Sequence, residues 1–405
     1  MDSLIASAAR ALAAGDPLGA LKRVALRNDS SALALRGIAM AQLGDFARAK
    51  ALLKDAACAF GPEDAVPRAR CTVAEAEIAL ASRDLGWPAK KLDEAREALE
   101  AHGDWPNAAH ARLLELRRLL LIGSVEEAER ALDILDSSRL MPAGKAIYEL
   151  VVAGIALRRL QAGAARKAFV AAERAANRAG IPALTAELRH ASAVLDRPAA
   201  RLMTRSGERL VRLDEVERTL ASGALVVDAC RLAICRADSF ISLVKRPVLF
   251  QLARVLSEAW PADVPRDFLI AQTFRARVAD ESHRVRLRVE VGRLRVLLQS
   301  VAGVTATKRG FVLAPLGTDE VAVLALPVEE KYAAVLACLA DGESWSSSAL
   351  GLALGSSQRT VQRALDSLAK AGKVQSFGRG RSRRWVAPLM PGFATILLLP
   401  ASELM

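Results

Sequence analysis

One local pattern recurs from Leu4 to about Leu195: a small-residue or Gly-Asp turn, followed by an Ala-rich amphipathic helix. Its five occurrences are AGDPLGALKRVA at Ala14, LGDFARAKALLKDA at Leu43, LGWPAKKLDEAREAL at Leu85, IGSVEEAERALDIL at Ile122 and QAGAARKAFVAAERA at Gln161. They start about 30 to 40 residues apart, which is the period of stacked helical-hairpin repeats. The spacing predicts paired helices over residues 1–196.

The segment LGDFARAKALLKDA is similar to the second helix of tetratricopeptide repeats. The array resembles that family over nearly the first half of the chain. The resemblance implies an α-solenoid whose concave groove takes a protein or peptide partner, or the chain's own second half. A generic helical bundle is the alternative explanation of the same periodicity.

The periodicity changes near Asp196. The segments RLMTRSGERLVRL and ASGALVVDACRLAICRADSFISLV alternate apolar and polar residues and are rich in β-branched side chains. Turn signals occur at Ser206-Gly207 and Ser222-Gly223. This pattern predicts strands and a domain boundary between residues 196 and 197.

Three helical segments and two strands around a basic turn come next. They read VLFQLARVLSEAW, RDFLIAQTF, DESHRVRLRVEVGRLRVLLQSV and VTATKRGFVLAP. This order predicts a winged helix-turn-helix, in which the third helix enters a major groove. The GRLRVLL and TKRGFVL segments resemble OmpR-type effector domains, and the predicted domain spans residues 197–318.

The third helix of this domain has an apolar stripe of Leu287, Val291, Leu294 and Leu298, which we expect to face the core. The resemblance assigns DNA contacts to Ser282, Arg284, Arg286, Arg288, Arg293, Lys308 and Arg309. The middle of the opposite face is apolar, with Val285, Val289 and Val296. Val285 and Val289 either touch thymine methyl groups or pack against another protein.

Residues 319–405 repeat the plan of a winged helix. PVEEKYAAVLACLADG and SSSALGLALG predict two helices, and a third follows an N-cap at Ser356 or Ser357 and ends before Gly372. The Leu-x-x-x-Gly-x-Val pattern from Leu368 to Val374 resembles the winged helices of bacterial repressors. The resemblance implies a second DNA-binding domain.

The stretch from Ser356 to Trp385 holds eight Lys or Arg and one acid, Asp366. A solvated face normally mixes both signs, so this imbalance predicts phosphate binding. The resemblance assigns base or phosphate contacts on the helix to Ser357, Gln358, Arg359, Thr360, Gln362 and Arg363, and wing contacts to Arg379, Arg381, Arg383 and Arg384. Residues 196–405 also carry 30 Lys and Arg against 21 Asp and Glu, which is +9 of the chain's +12.

Other functional classes have little support. The five cysteines are scattered, the four histidines lack metal-ligand spacing, and no P-loop, GxGxxG, GxSxG or HExxH is present. We expect His102 and His110 on the surface or in the groove. We predict no catalytic residue, metal or cofactor, no membrane segment, and a cytoplasmic, nucleoid-associated protein.

The sequence therefore predicts a mainly α protein: an N-terminal α-solenoid followed by two α/β winged helices. We expect a transcription regulator, homodimeric and bound to double-stranded DNA, whose repeats regulate, bind a partner or dimerise. Two alternatives remain open. One is an adaptor whose winged helices contact proteins, and the other is an architectural DNA binder.

Overall fold

The computed structural model describes residues 2–274, 280–318, 320–327, 332–339, 344–378, 380 and 383–386. The protein is mainly helical, at 63% helix against 13% strand, and its sheets are small. The expectation of a mainly α chain is confirmed. The chain divides into two compact units, and the second unit consists of residues 160–163 and 194–333. The first unit contains the other helices before residue 194 together with the chain from Ala334 onward.

Eleven helices, together called the helical array, lie in residues 2–196. They are α1 Ser3–Ala13, α2 Pro17–Val24, α3 Ser30–Gln42, α4 Phe46–Ala59, α5 Ala65–Ala81, α6 Ala89–Ala101, α7 Trp105–Ile122, α8 Val125–Asp133, α9 Pro142–Arg158, α10 Ala162–Ala179 and α11 Pro182–Ser192. Short 3-10 turns occupy Ser137–Arg139 and Ala193–Asp196. From α1 to α9, helices that are adjacent in sequence also pack against one another.

The recurring Gly-Asp turn has a local physical cause. Gly15 and Gly44 have φ values of +77° and +84°, in the left-handed region that lets a helix end and the chain reverse. The next residue then caps the following helix. The Asp16 carboxylate accepts a hydrogen bond from the Gly19 N–H at 2.8 Å, and Asp45 accepts one from the Arg48 N–H at 3.1 Å.

Small residues allow close helix packing inside the array. A Cβ atom added at Gly37 on α3 would lie 2.8 Å from Leu53 Cγ on α4, so a larger residue there would push the two helices apart. Leu35 and Leu53 are fully buried in the same apolar cluster. Further clusters continue through Leu99 and Leu116, so the array has an apolar interior along its length.

One polar pair is buried inside the array. His110 on α7 lies 3.6 Å from Glu77 on α5, and both side chains are almost fully buried. His102, in contrast, is exposed. The surface or groove position expected for His110 is therefore wrong, because α7 packs against several neighbouring helices.

The second unit contains nine strands and four helices in its described residues. The strands are β1 Ala200–Thr204, β2 Gly207–Val211, β3 Leu225–Asp228, β4 Ala233–Arg236, β5 Ser239–Ser242, β6 Val264–Pro265, β7 Ala302–Ala306, β8 Gly310–Pro315 and β9 Val321–Ala325. The helices are α12 Leu213–Ala221, α13 Pro247–Ala259, α14 Arg266–Phe274 and α15 Glu281–Leu298. The sequence patterns predicted most of these elements, but not α12, β6 or β9.

Strand β9 lies in the interior of a six-stranded sheet with the order β2-β1-β9-β3-β4-β5. It pairs antiparallel to β1 and parallel to β3, and all five of its residues are buried. Val321 and Val323 belong to the apolar cluster shared with α13, α14 and α15, whereas Ala322 and Leu324 pack on the opposite face with Val216 of α12. This strand follows the boundary expected between residues 318 and 319, yet it belongs with the sheet that precedes it.

A smaller sheet has the order β6-β8-β7 and packs with the three helices α13, α14 and α15. We call these elements the first module. The predicted core stripe of α15 is confirmed, since Leu287, Val291, Leu294 and Leu298 are all buried. The opposite face of α15 is consequently left towards solvent.

The described residues from Ala333 to Val386 form what we call the C-terminal module. Its elements are α16 Ala333–Leu339, α17 Ser347–Ala353, α18 Gln358–Lys370, β10 Gln375–Phe377 and β11 Arg384–Val386. Trp345 and Trp385 exchange two backbone hydrogen bonds of 2.8 Å, and both indoles are buried. Helix α17 packs against α7, and the Arg83 guanidinium lies 5.4 Å from the centroid of the Trp345 ring. The C-terminal module and the helical array therefore belong to one compact unit.

Candidate nucleic-acid interface

Helix α18 begins and ends where its local sequence predicts. The Ser357 hydroxyl accepts a hydrogen bond from the Thr360 N–H at 3.2 Å, which makes Ser357 the N-cap rather than Ser356. Beyond its last turn, Gly372 has a φ of +70°, which any larger residue would adopt only with strain. The buried side consists of Val361, Ala364, Leu365 and Leu368.

The residues on the other side of α18 are mostly exposed, and its two arginines have no partner among the described residues. Arg359 and Arg363 lie one turn apart, and no described residue forms a hydrogen bond or ion pair with either guanidinium. Like charges at this spacing destabilise a helix by roughly 0.2–0.5 kcal/mol. The fold therefore gives no stabilising role to these two charges.

The polar neighbours of these arginines are partly engaged within the module. The Gln358 amide donates to Ser347 Oγ on α17 at 3.0 Å, and the Gln362 amide donates to Asp366 at 3.1 Å. The Thr360 and Ser357 hydroxyls lie 2.8 Å apart. Gln358 and Thr360 remain exposed at the start of α18, where side chains of this kind can bind base edges or phosphates.

The hairpin after α18 holds one exposed arginine in place. The Arg383 guanidinium lies 4.3 Å from the centroid of the Trp385 ring and donates to Ser376 Oγ at 3.2 Å. Arg384 is half-buried. The other two predicted wing residues, Arg379 and Arg381, lie outside the described residues.

Helix α15 of the first module starts at a strong N-cap. The Asp280 carboxylate accepts a hydrogen bond from the His283 N–H at 2.9 Å and another from the Ser282 hydroxyl at 2.7 Å. These bonds stabilise the ionised carboxyl and lower the pKa of Asp280 to about 2. Ser282 therefore lies next to the N-cap residue, and its hydroxyl is already engaged in a hydrogen bond with Asp280.

The arginines of α15 are all engaged with groups of the same module. Arg284 and Arg288 lie 3.7 Å and 3.5 Å from Glu281, and Arg293 lies 2.9 Å from Glu290. The Arg286 guanidinium lies 4.5 Å from the centroid of the Phe274 ring. These exposed ion pairs still leave positive charge at the surface, but each arginine would give up a contact in order to bind DNA.

The predicted apolar face of α15 is exposed, as expected. Val285, Val289 and Val296 have exposed fractions of 50%, 48% and 68%. We call these three residues the Val face. Apart from the contact that a thymine methyl group offers, valine has no means of distinguishing bases.

The turn between β7 and β8 is tied to the rest of the first module. The Arg266 guanidinium donates to the carbonyl oxygens of Lys308 and Thr307 at 3.0 Å and 2.9 Å. The Thr307 hydroxyl donates to Asp263 at 2.6 Å, and Arg309 lies 3.9 Å from the same carboxylate group. The Lys308 side chain is exposed and has no ion-pair partner among the residues that the structure describes.

The predicted contacts thus fall into two groups. Ser282, Arg284, Arg286, Arg288, Arg293, Lys308 and Arg309 lie in the first module, whereas Ser357, Gln358, Arg359, Thr360, Gln362, Arg363, Arg383 and Arg384 lie in the C-terminal module. Sequence reasoning missed Lys245 and Arg246, which line a pocket beside the Val face. A basic pair directly before Pro247, the first residue of α13, was the available signal.

Among the described residues, no group of three or more His, Cys, Asp or Glu side chains is placed to hold a metal ion. Within the same residues, no helix combines the length and apolarity needed to cross a bilayer. The comparisons with family models, curated proteins and solved structures yield no match to this chain.

Proposed function

We propose that this chain is a sequence-specific, double-stranded DNA-binding transcription regulator. In the proposal the helical array is a tetratricopeptide-like solenoid, the first module is an OmpR-type winged helix, and the C-terminal module is a second winged helix. The array serves for regulation, partner binding or dimerisation of a cytoplasmic, nucleoid-associated homodimer. No catalytic step, cofactor or metal is assigned to the chain.

The unpaired arginines of α18 carry the proposal. Arg359 and Arg363 are exposed beside Gln358 and Thr360, and no acid among the described residues neutralises them. Arginine binds guanine edges in a bidentate manner, and glutamine binds adenine in the same way. A polyanion with readable base edges accounts for these residue types better than solvent does, because a solvated face normally mixes both signs of charge.

The C-terminal hairpin and the first module would add contacts to the DNA backbone. Arg383 and Lys308 lie at the turns that follow α18 and α15, and the proposal aligns only α18 with the base edges. Their contribution would be to phosphate binding and register, without sequence information of their own. Two linked modules also raise the effective concentration of one at the site of the other, so modest affinities combine.

A second candidate function is favoured by the Val face. An adaptor protein would bury an exposed apolar strip against a partner, and Val285, Val289 and Val296 form such a strip on α15. This function would leave Arg359 and Arg363 without a role. We therefore place it second for the whole chain.

The test is selection from a randomised duplex library with the intact protein, compared with Arg359→Ala/Arg363→Ala. The wild type should enrich a defined motif, and the double variant should bind that motif at least tenfold more weakly, as expected for lost base contacts worth about 1–3 kcal/mol each. Arg166→Ala/Arg174→Ala on α10 is the matched control, since it removes the same charge from exposed positions. It should retain the motif and the affinity.

Each other result assigns the chain to a different class. Equal enrichment by the α18 variant would contradict our assignment of base reading to that helix. Equal affinity for all duplexes would indicate an architectural DNA binder. Absence of binding at moderate salt would favour the adaptor.

A further inference from the structure

A surface pocket of about 840 Å³ lies beside the Val face in the first module. Residues 245–249, at the start of α13, line one side of the pocket. Val289, Gly292, Arg293 and Val296 of α15 line the other side. The pocket is therefore a groove between two helices, with an apolar floor that continues into an exposed strip.

The strip has the dimensions of a helix-binding surface. Val285 and Val296 are eleven residue steps apart on α15, which corresponds to about 16.5 Å at 1.5 Å per residue. Gly292 sits within this strip, and apart from its chain neighbours and the backbone of its own helix, no atom lies within 4 Å of the position that its Cβ would occupy. The groove is thus open along three helical turns.

The charges around the groove are positive and partly uncompensated. Among the described residues, no acid pairs with Lys245 or Arg246, and both side chains are exposed. Glu290 is the one acidic side chain among the lining residues, and it already pairs with Arg293 at 2.9 Å. Helix α13 starts at the same rim without a capping side chain, so the positive end of its dipole adds to the two charges.

We propose that this groove binds an amphipathic helix of an acidic partner protein. The apolar side of the partner helix would cover Val285, Val289 and Val296, while its Asp or Glu residues would pair with Lys245 and Arg246. Helix-in-groove recognition uses apolar anchors at i, i+3 or i+4, and i+7, which match a strip of this length. The proposal extends the chain's function to protein recruitment and does not require α18 to bind DNA.

Two other occupants fit the groove less well. A second copy of this chain, docked through a two-fold axis, would place the same patch against itself, so Lys245 and Arg246 would meet like charges. DNA would find valines where base edges need donors and acceptors, and the α15 arginines are engaged internally, unlike Arg359 and Arg363. An acidic amphipathic helix would bury the apolar strip and would also pair with the exposed Lys245 and Arg246.

A phage-displayed library of random 16-residue peptides, panned on the intact protein, tests the proposal. The library is first depleted on the variant Val289→Glu/Val296→Glu, which makes the strip polar and repels acids. We expect the retained peptides to be net negative, with apolar residues at helical spacing. Enrichment of basic or uncharged peptides, or of none, would overturn the proposal.

The selected peptide is then synthesised and its affinity is measured by fluorescence anisotropy. Val289→Glu/Val296→Glu and, independently, Lys245→Glu/Arg246→Glu should each weaken binding at least tenfold. Val170→Glu/Val194→Glu alters valines of similar exposure, 43% each, outside the first module and should leave the affinity unchanged. Equal binding by the wild type and both groove variants would refute the proposed site. The two groove variants alter different side chains, and circular dichroism melting verifies that each is folded.

DNA affinity of the same variants separates this proposal from the proposed function. Val289→Glu/Val296→Glu should bind the selected duplex as the wild type does, whereas Arg359→Ala/Arg363→Ala should bind the peptide normally. If the α15 variant loses DNA affinity tenfold and the Val170/Val194 control does not, the Val face binds DNA and our proposal is wrong.

Discussion

Asp280 shows how a single residue sets the start of α15. Its carboxylate accepts hydrogen bonds from the backbone N–H of His283 and the hydroxyl of Ser282, and it lies 2.6 Å from the imidazole Nδ1 of His283. Each of these contacts favours the ionised carboxyl, so the pKa of Asp280 falls from 3.8 to about 2. The ionised form is therefore part of the native helix terminus.

The lowered pKa predicts a stability that depends on pH. Because the folded pKa lies below the unfolded one, the stabilisation is complete above about pH 4 and is lost as the pH falls towards 2. Asp280→Asn retains capping ability without the charge. We expect the variant to melt below the wild type at pH 6, and the gap between their melting temperatures to close between pH 4 and pH 2. A gap that stays constant over this range, measured by circular dichroism, would show that the charge of Asp280 has no such role.

At the residue scale, the sequence predicts helix-capping residues well, but it predicts the contact partners of side chains poorly. Ser357 and Gly372 are recognisable because both act on backbone groups within a few residues of themselves. The partners of Arg266 and Arg286 come from residues remote in sequence or from another helix, namely the β7–β8 turn and Phe274. A helical wheel therefore identifies which α15 arginines are exposed, but not that they are engaged.

At the scale of elements, β9 is the largest departure from expectation. Its segment VAVLA is a short apolar run that periodicity alone cannot distinguish from a piece of buried helix. Its partners β1 and β3 lie about 100 residues earlier in the chain, so only tertiary structure reveals the pairing. Helices α13, α15 and α18 were predictable because each has one buried stripe and local end signals.

The central position of β9 predicts unequal costs for two similar truncations. Leu324→Ala removes a side chain that is 1% exposed between two sheet neighbours, and it should destabilise the second unit by about 2–5 kcal/mol. Leu210→Ala on the edge strand β2 removes one that is 54% exposed, and it should cost less than about 0.5 kcal/mol. The loss of stability in each variant is measured by hydrogen exchange of the backbone amides of β1 and β3. Similar exchange rates in the two variants would mean that β9 does not hold the sheet together.

For the molecule as a whole, the uneven distribution of charge could be predicted from the sequence. Which modules share a compact unit could not. The +9 balance of residues 196–405 follows from counting. The sequence does not indicate that the C-terminal module clusters with the array, because that depends on contacts such as Arg83 with Trp345, which are remote in sequence. Helix α18 keeps Arg359 and Arg363 exposed in this grouping, so it leaves the candidate interface accessible.

The proposed function predicts a steep salt dependence of DNA affinity. Each neutralised phosphate contributes a slope of about −0.9 to log K against log salt. Arg381→Ala/Arg383→Ala should therefore make the slope shallower by up to about 2, while the preferred duplex sequence stays the same. Titration of one labelled duplex at four salt concentrations gives the slope. The α10 control Arg166→Ala/Arg174→Ala should have the same slope as the wild type. An unchanged slope in the wing variant would show that Arg381 and Arg383 do not contact DNA phosphates.

The central placement of β9 also affects the protein while the ribosome is still making it. Leu202 in β1 leaves the ribosome about 120 residues before its partner Leu324, which at roughly 5–20 residues per second amounts to about 6–24 seconds. During that interval β1, and β3 once it has been synthesised, each present an unpaired edge, the kind of surface through which neighbouring chains associate. Strand β9 pairs with both edges at once, so neither edge is protected from such association until this late strand has been synthesised.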